Sequence, residues 1–174
     1  MTTINRTLSS THINTPLGTM LAIADEHALY LLEFTDRKGL AGEIERLTKA
    51  IGLAITPGHT APLESIESEL RQYFAGELKQ FTTPIILLGT QFQRQVWQEL
   101  QKIPSGTTRS YLHMAHAIAN PKGQRAVAQA NSCNQLAIIV PCHRVINANG
   151  MLGGYSAGIE RKQWLLEHEK GFTR

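Results

Sequence analysis

The apolar pattern of this chain changes character at Gly89-Thr90-Gln91, and that change limits the folds open to it. Before it, two short apolar runs, Met20 to Ala24 and Leu29 to Phe34, flank Asp25-Glu26-His27, which predicts a β-hairpin. Leu40, Ile44, Leu47 and Ile51 recur at helical spacing. So do Leu63, Ile66, Leu70 and Tyr73/Phe74, with Pro62 suited to a first turn and Gly76 to a stop. Ile85-Ile86-Leu87-Leu88 reads as one more strand. Beyond the boundary, Phe92, Val96, Leu100 and Ile103 line one helical face, which Pro104-Ser105-Gly106 ends. Ser110 is placed to cap a helix from Tyr111 to about Ala119. Asn120-Pro121-Lys122-Gly123 is a turn, and a helix from Gln124 to about Asn131 follows. The apolar run Ala137-Ile138-Ile139-Val140 reads as a buried strand. A last amphipathic helix covers roughly Ile159 to Glu169. The fold class expected is α+β, with an N-terminal α+β domain over residues 1–85 and a mainly helical domain over residues 90–174.

Charge divides along the same line. Residues 1–85 hold seven Lys/Arg and ten Asp/Glu (−3), whereas residues 86–174 hold ten and four (+6). A basic second half that contains helix, short turn and helix is the footprint of an anion-binding module, with nucleic acid the leading partner; a plain αα-hairpin under a solvated surface has the same pattern. At 174 residues, 42% hydrophobic and 18% charged, the chain can bury a core and is not disordered. No apolar run approaches the roughly 20 residues of a membrane helix, so no membrane association is expected. Met1-Thr2-Thr3-Ile4-Asn5-Arg6 lacks the layout of a signal peptide. Cys133 and Cys142 are the only cysteines, which is no disulfide framework and fits a reducing, cytoplasmic setting.

Pro141-Cys142-His143-Arg144-Val145 is where chemistry concentrates. A free thiol titrates near pH 8.5, so little of it is thiolate at neutral pH, and an adjacent imidazole is a means of activating it. The same cysteine also reads as a small buried hydrophobe. An imidazole acting as base needs an orienting acceptor. Glu167 or Glu169 serves if the last helix folds back on the Cys142 turn. Asn134 precedes the apolar run, and Gly153-Gly154-Tyr155-Ser156-Ala157-Gly158 is a glycine-rich loop carrying two hydroxyls. His113 and His116 sit at i, i+3, but neither they nor Cys133 with Cys142-His143 match a zinc signature, so no metal is expected.

From residue 90 onward the chain resembles the O6-alkylguanine-DNA alkyltransferases, or methylated-DNA–protein-cysteine methyltransferases. The matching stretches, in family order, are Phe92-Gln93-Arg94-Gln95-Val96-Trp97, Ile103-Pro104-Ser105-Gly106-Thr107, Ser110-Tyr111, Asn120-Pro121, Arg125-Ala126-Val127, Ile139 to Ile146, Gly150, Gly154-Tyr155 and Lys162 to Glu169. The first half is similar only through Thr15-Pro16-Leu17-Gly18 and Tyr73-Phe74-Ala75-Gly76-Glu77-Leu78.

The resemblance implies an RNase-H-like α/β domain followed by a winged-helix-like, helix-turn-helix domain. It implies irreversible, single-turnover transfer of a methyl or other alkyl group from O6-alkylguanine, and from O4-alkylthymine, in double-stranded DNA to Cys142. No cofactor takes part, and the protein is a monomer, with cooperative assembly on DNA left open. His143 would be the base through a water, Glu169 would orient it, and Asn134 would hold the turn. Tyr111 would contact the base and protonate the leaving guanine. Tyr155, Ser156 and Gly153 would complete the substrate pocket. Arg125 would enter the base stack while Ala126, Ala128, Gln129 and Lys122 meet DNA. Three positions depart from the family pattern: Ala128 and Ala157, where glycine is common, and Gln135, where many members have proline.

Overall fold

The structure, a computed structural model, describes residues 6–173; Met1 to Asn5, read above for a leader, and Arg174 lie outside the described residues. The expected hairpin forms from β2 (Gly18–Ala24) and β3 (Leu29–Phe34), antiparallel, with Met20 opposite Phe34 and Ala22 opposite Leu32. Asp25 closes it by accepting from the backbone N–H of His27 (2.7 Å) and Ala28 (2.8 Å), an Asx turn. Two strands of this sheet were not anticipated. β1 (Leu8–Thr15) runs antiparallel to β2, and β4 (Ile55–Pro57) is parallel to β1, giving the order β3-β2-β1-β4.

Both faces of the sheet are covered. α1 (Leu40–Ile51) packs Leu40 and Leu47 with Leu21, Ile23 and Leu31. α2 (Ala61–Phe74), capped by Thr60 with Pro62 in its first turn, packs Leu63, Ile66, Leu70 and Tyr73 with Met20, Ala22, Leu32 and Phe34. The alternation along β2 and β3 therefore separates two apolar layers rather than core from solvent, as expected of strands buried on both sides.

The boundary Gly89-Thr90-Gln91 is a helix start. Thr90 and Gln93 form a capping box at the head of α3 (Gln91–Leu100). Next come β5 (Arg109–Ser110), α4 (Tyr111–Ala117), α5 (Gln124–Ser132), a 3-10 turn over Cys142–Arg144, β6 (Val145–Ile146) and α6 (Ile159–Lys170). Ser110 caps α4 as expected, accepting from His113 N–H (3.0 Å). α4 stops two residues early, where Ala119 turns left-handed (φ 59°). β5 and β6 form a short parallel ladder that ties the start of α4 to the end of the Cys142 turn.

Two expected strands are absent. Ile85 makes one parallel bridge, to Leu29, and Leu136 makes another, to Leu32. Both use the same free edge of β3, so neither Ile85–Leu88 nor Ala137–Val140 can extend along it. Ala137 to Val140 instead folds into a tight buried turn, with Val140 N–H on Leu136 O (2.9 Å) and Ile138 at φ 72°. A continuous apolar run does not distinguish a buried strand from such a turn.

The main core runs through both halves: Phe34, Leu63 and Tyr73 share one cluster with Val96, Trp97, Leu100, Met114, Val127 and Leu165. Among the described residues, no helix is long and apolar enough to cross a membrane.

Candidate active site

The Cys142 turn is built largely by one side chain. Asn134 Nδ2 donates to Val140 O (2.8 Å) and to Cys142 Sγ (3.2 Å), while its Oδ1 accepts from Leu136 N–H (3.0 Å). Those bonds occupy backbone groups that a strand would have paired. Cys142 is buried, and burial pushes its thiol up to about 11, with the Asn134 bond opposing. An imidazole next in sequence therefore does not by itself make a resting thiolate here, contrary to the simple expectation. The thiol is neutral at pH 7 and a proton must be removed as it reacts.

His143 is held through one ring nitrogen. Its Nε2 lies 2.7 Å from Glu169 Oε1, and Nδ1 is buried without a hydrogen-bond partner among the described residues. Nε2–H donating to the carboxylate leaves Nδ1 as a free acceptor. Burial holds the imidazole below its ordinary range, against the pull of Glu169, so it is a neutral base at pH 7. Glu169 also accepts from Tyr73 OH (2.8 Å), Arg144 Nη2 (2.9 Å) and Arg144 Nε (2.9 Å). Its bonds to His143 and Arg144 and the Arg144 charge outweigh burial and hold the carboxyl far below its usual range. Of the two carboxylates considered, Glu169 is the one brought to the turn; Glu167 faces solvent and pairs with Lys170 (2.9 Å).

Cys142 lines a cavity of about 290 Å³ with Tyr111, Ala128, Asn131, Ser132, Gly154, Tyr155 and Ser156. Gly153 is not on that wall. It lies behind Tyr111, and a Cβ there would stand 3.4 Å from the Tyr111 hydroxyl oxygen and 3.1 Å from Asn147 Oδ1. Its φ of 71° independently favours glycine. Burial pushes the Tyr111 and Tyr155 hydroxyls up, so both are protonated donors. Lys162 Nζ donates to Val145 O (2.6 Å) and Gly154 O (3.1 Å), tying the glycine-rich loop to β6.

One wall of the cavity is α5, the second helix of the helix-turn-helix. Val127 and Ala130 face the core, while Lys122, Arg125, Ala126, Ala128 and Gln129 are exposed together on the outer side. Trp97 Nε1 donates to Ala130 O (2.9 Å) and anchors the helix from behind.

Two family models match, one after the other: 6-O-methylguanine DNA methyltransferase, ribonuclease-like domain, over residues 8–87, and 6-O-methylguanine DNA methyltransferase, DNA binding domain, over residues 91–171. The methylated-DNA–protein-cysteine methyltransferase of Shigella flexneri is 39% identical over 169 residues, 90% of this chain and 92% of that one. The chain belongs to the 6-O-methylguanine DNA methyltransferase family.

The methyltransferase of Methanosarcina acetivorans is 54% identical over 101 residues, 58% of this chain and 65% of that relative, so the match spans just under two thirds of its length. Among solved structures, the O6-methylguanine methyltransferase of Mycobacterium tuberculosis superposes with a TM-score of 0.81 at 39% identity, over 94% of this chain and 93% of that one. A structure of the M. tuberculosis protein in complex with DNA superposes at 0.79 and 38% identity, over 95% and 93% of the two chains.

Several residues of this family member's site had no role in the sequence reading. Arg144 lies inside the quoted Pro-Cys-His-Arg run, yet its charge pairing with Glu169 follows only from the fold. Tyr73 stands at core helical spacing, and no local pattern marks it. Asn131 is buried in the cavity wall, and neither amide atom has a hydrogen-bond partner among the described residues. Lys162 lies in one of the matching stretches, but its burial, which lowers the ammonium to about 8, follows only from the fold.

Proposed function

We propose that this protein repairs DNA by taking the alkyl group of O6-alkylguanine, or of O4-alkylthymine, onto its own Cys142. One observation carries the reading: the only cysteine lining the cavity shares it with α5, the helix that would lie against DNA. An alkyl group inside a duplex is out of reach of a buried thiol, so the nucleotide must be flipped out, at a cost of a few kcal/mol. Arg125 would fill the vacated stack, and the small Ala126 and Ala128 would let the helix backbone approach the groove. Lys122 and Gln129 would contact the flanking backbone.

In the step itself, the Cys142 thiol proton passes through a water to His143 Nδ1. Sγ then attacks the alkyl carbon, an S–C bond forms, the C–O6 bond breaks and its electron pair leaves with guanine. Tyr111 donates its hydroxyl proton to the departing base and is reprotonated from the His143 imidazolium through water, so the net result moves the thiol proton onto guanine. Ser156 and nearby backbone N–H groups would bind O6, with Tyr155 packing beside them. Glu169, charge-balanced by Arg144, steadies the imidazolium while it exists. The thioether is stable, so each molecule acts once, without a cofactor. The residues 90–174 hold the reacting groups, and residues 1–85 buttress them. We place the protein in the cytoplasm as a monomer, where Cys133 and Cys142 stay reduced.

Incubation with duplex DNA containing O6-methylguanine, followed by peptide mass mapping, tests this. One methyl group per chain is expected on Cys142. Cys142→Ser should accept none, and Cys133→Ser should accept the full amount. Label on Cys133, or repeated turnover by one molecule, would overturn the assignment.

A further inference from the structure

Arg161, in the first turn of α6, neither lines the cavity nor reaches the thiol, yet its guanidinium is heavily engaged. Nε donates to Leu17 O (3.0 Å), Nη1 and Nη2 grip the Asp36 carboxylate (2.7 and 3.0 Å), and Nη1 also donates to Ala157 O (3.1 Å). The group stacks over the Phe34 ring, 4.0 Å from its centroid. Leu17, Phe34 and Asp36 belong to the first half of the chain. Ala157 belongs to the loop whose Gly154, Tyr155 and Ser156 form the cavity lip.

The segment Thr15-Pro16-Leu17-Gly18 is shaped to receive this guanidinium. Thr15 Oγ1 donates to Gly18 O (2.6 Å) and accepts from Leu17 N–H (3.2 Å), which closes the turn and leaves Leu17 O facing outward. Gly18 has φ 124°, and a Cβ there would stand 2.9 Å from Arg161 Nη2. The chemistry described so far gives this segment no part. Its fit to Arg161 does.

We propose that Arg161 is a positioning residue that pins the cavity lip to the N-terminal half and so sets how large an alkyl group the site accepts. The lip has glycine at 153, 154 and 158 and no regular structure, so its backbone is intrinsically free. Lys162 holds one end of it at Gly154 O, and Arg161 holds the other at Ala157 O. A methyl group gives the wall little to grip, and its transfer depends on close confinement of the base. A benzyl group needs room and supplies its own contact area. Releasing the pin therefore slows methyl transfer more than benzyl transfer.

The inference rests on the transfer reaction proposed above. Its test is the ratio of single-turnover rates on duplexes carrying O6-benzylguanine and O6-methylguanine, at saturating protein. Arg161→Met keeps the aliphatic stem and loses the guanidinium; the benzyl-to-methyl ratio should rise about tenfold, since displacements near 1 Å cost rates of this order or more. Asp36→Asn touches neither cavity nor lip, weakens only the grip on Arg161, and should shift the ratio in the same direction by a smaller factor. The double variant should shift it no further than Arg161→Met alone, as expected of residues acting through one contact. Wild-type transfer with a ratio unchanged in both single variants, even if both rates fall, would overturn the inference and leave the function standing. Absence of wild-type transfer to either lesion would overturn the function and the inference with it.

Discussion

Two buried glutamates in this protein meet opposite fates. Glu169 and Glu33 are both almost wholly removed from solvent. Glu169 receives hydrogen bonds from Tyr73, His143 and Arg144, four donors in all, and its carboxyl is held well below the usual range. Among the described residues Glu33 receives one, from Phe34 N–H (3.0 Å); its Oε2 has no hydrogen-bond partner there and sits 3.5 Å from Arg37 Nη1. Arg37 is shared with Glu43, which it meets at 2.5 Å, and burial pushes the Glu33 carboxyl up to about 7. Both are buried, so the partners decide the charge: Glu169 is bonded to His143 and Arg144, whereas Glu33 shares Arg37 with Glu43. The well-supplied site holds a fixed anion beside His143. The poorly supplied one lies at a joint between the halves, where Arg37 Nη2 donates to Ser132 O (3.0 Å) at the end of α5.

The largest effect should follow from removing the charge at the well-supplied site. Glu169→Gln leaves Arg144 buried without its counter-ion, a change that typically costs about 3–5 kcal/mol. It also deprives the His143 imidazolium of its acceptor, and transfer to Cys142 should slow by about 100-fold, at the lower end for loss of general-base catalysis. Glu167→Gln, on the exposed side of the same helix, should stay within about twofold and about 0.5 kcal/mol of wild type. Single-turnover kinetics beside urea melts checks both. Equal losses from the two variants would mean that donors around a carboxylate do not mark the working one.

The difference between the two sites was only partly legible in the sequence. Cys142, His143, Asn134 and Glu169 were named in advance because a specific run and a matching last helix placed them. α1, α2 and α3 followed from apolar spacing, since each buries one apolar face; α6 was expected to be amphipathic, but the face it buries carries Lys162 and Glu169 with Leu165. β1 did not, because Ser9-Ser10-Thr11-His12 offers no apolar alternation and the strand is held by its neighbours. Ala137 to Val140 reads as a strand because a short continuous apolar run carries no period to tell strand from turn. The electrostatics were the least legible part. Glu33 falls within an apolar run, Arg37 and Glu43 look like surface charge, and Tyr73 looks like core. The number of donors a carboxylate receives depends on residues 96 positions apart, as Tyr73 and Glu169 are.

The second effect isolates Glu33. Its folded carboxyl titrates near 7 and its unfolded one near 4.5, so between those values the folded state holds a proton that the unfolded state has released. Stability is therefore full below about pH 4.5 and is lost as pH rises toward 7, by on the order of 3 kcal/mol. His143, whose pKa is lowered by folding, contributes the opposite slope through its ordinary range. Glu33→Gln leaves His143 in place and removes only the first contribution. Going from pH 5 to pH 8, the variant should lose less stability than wild type, measured by urea unfolding. Parallel pH profiles for the two proteins would show that Glu33 is charged throughout and would break the contrast with Glu169.

The smallest effect concerns the one hydroxyl donor at Glu169. Tyr73 reaches it from α2, in the opposite half of the chain, and packs edge-on against Phe74, His168 and Phe172. Tyr73→Phe keeps that aromatic packing and removes only the hydroxyl. A hydrogen bond to a charged group contributes about 1.5–3 kcal/mol. Part of that should be recovered because His143 and Arg144 still satisfy the carboxylate, so a loss of about 1–2 kcal/mol is expected. With three donors remaining, Glu169 stays ionised, and transfer to Cys142 should fall by no more than about threefold, well short of the general-base loss expected of Glu169→Gln. A stability change without a comparable rate change would sharpen the comparison: His143 and Arg144 set the state of the carboxylate, and the Tyr73 hydroxyl joins the halves around it. A rate loss matching Glu169→Gln would break it, because one neutral hydroxyl would then govern the ionisation that His143 and Arg144 are held to maintain.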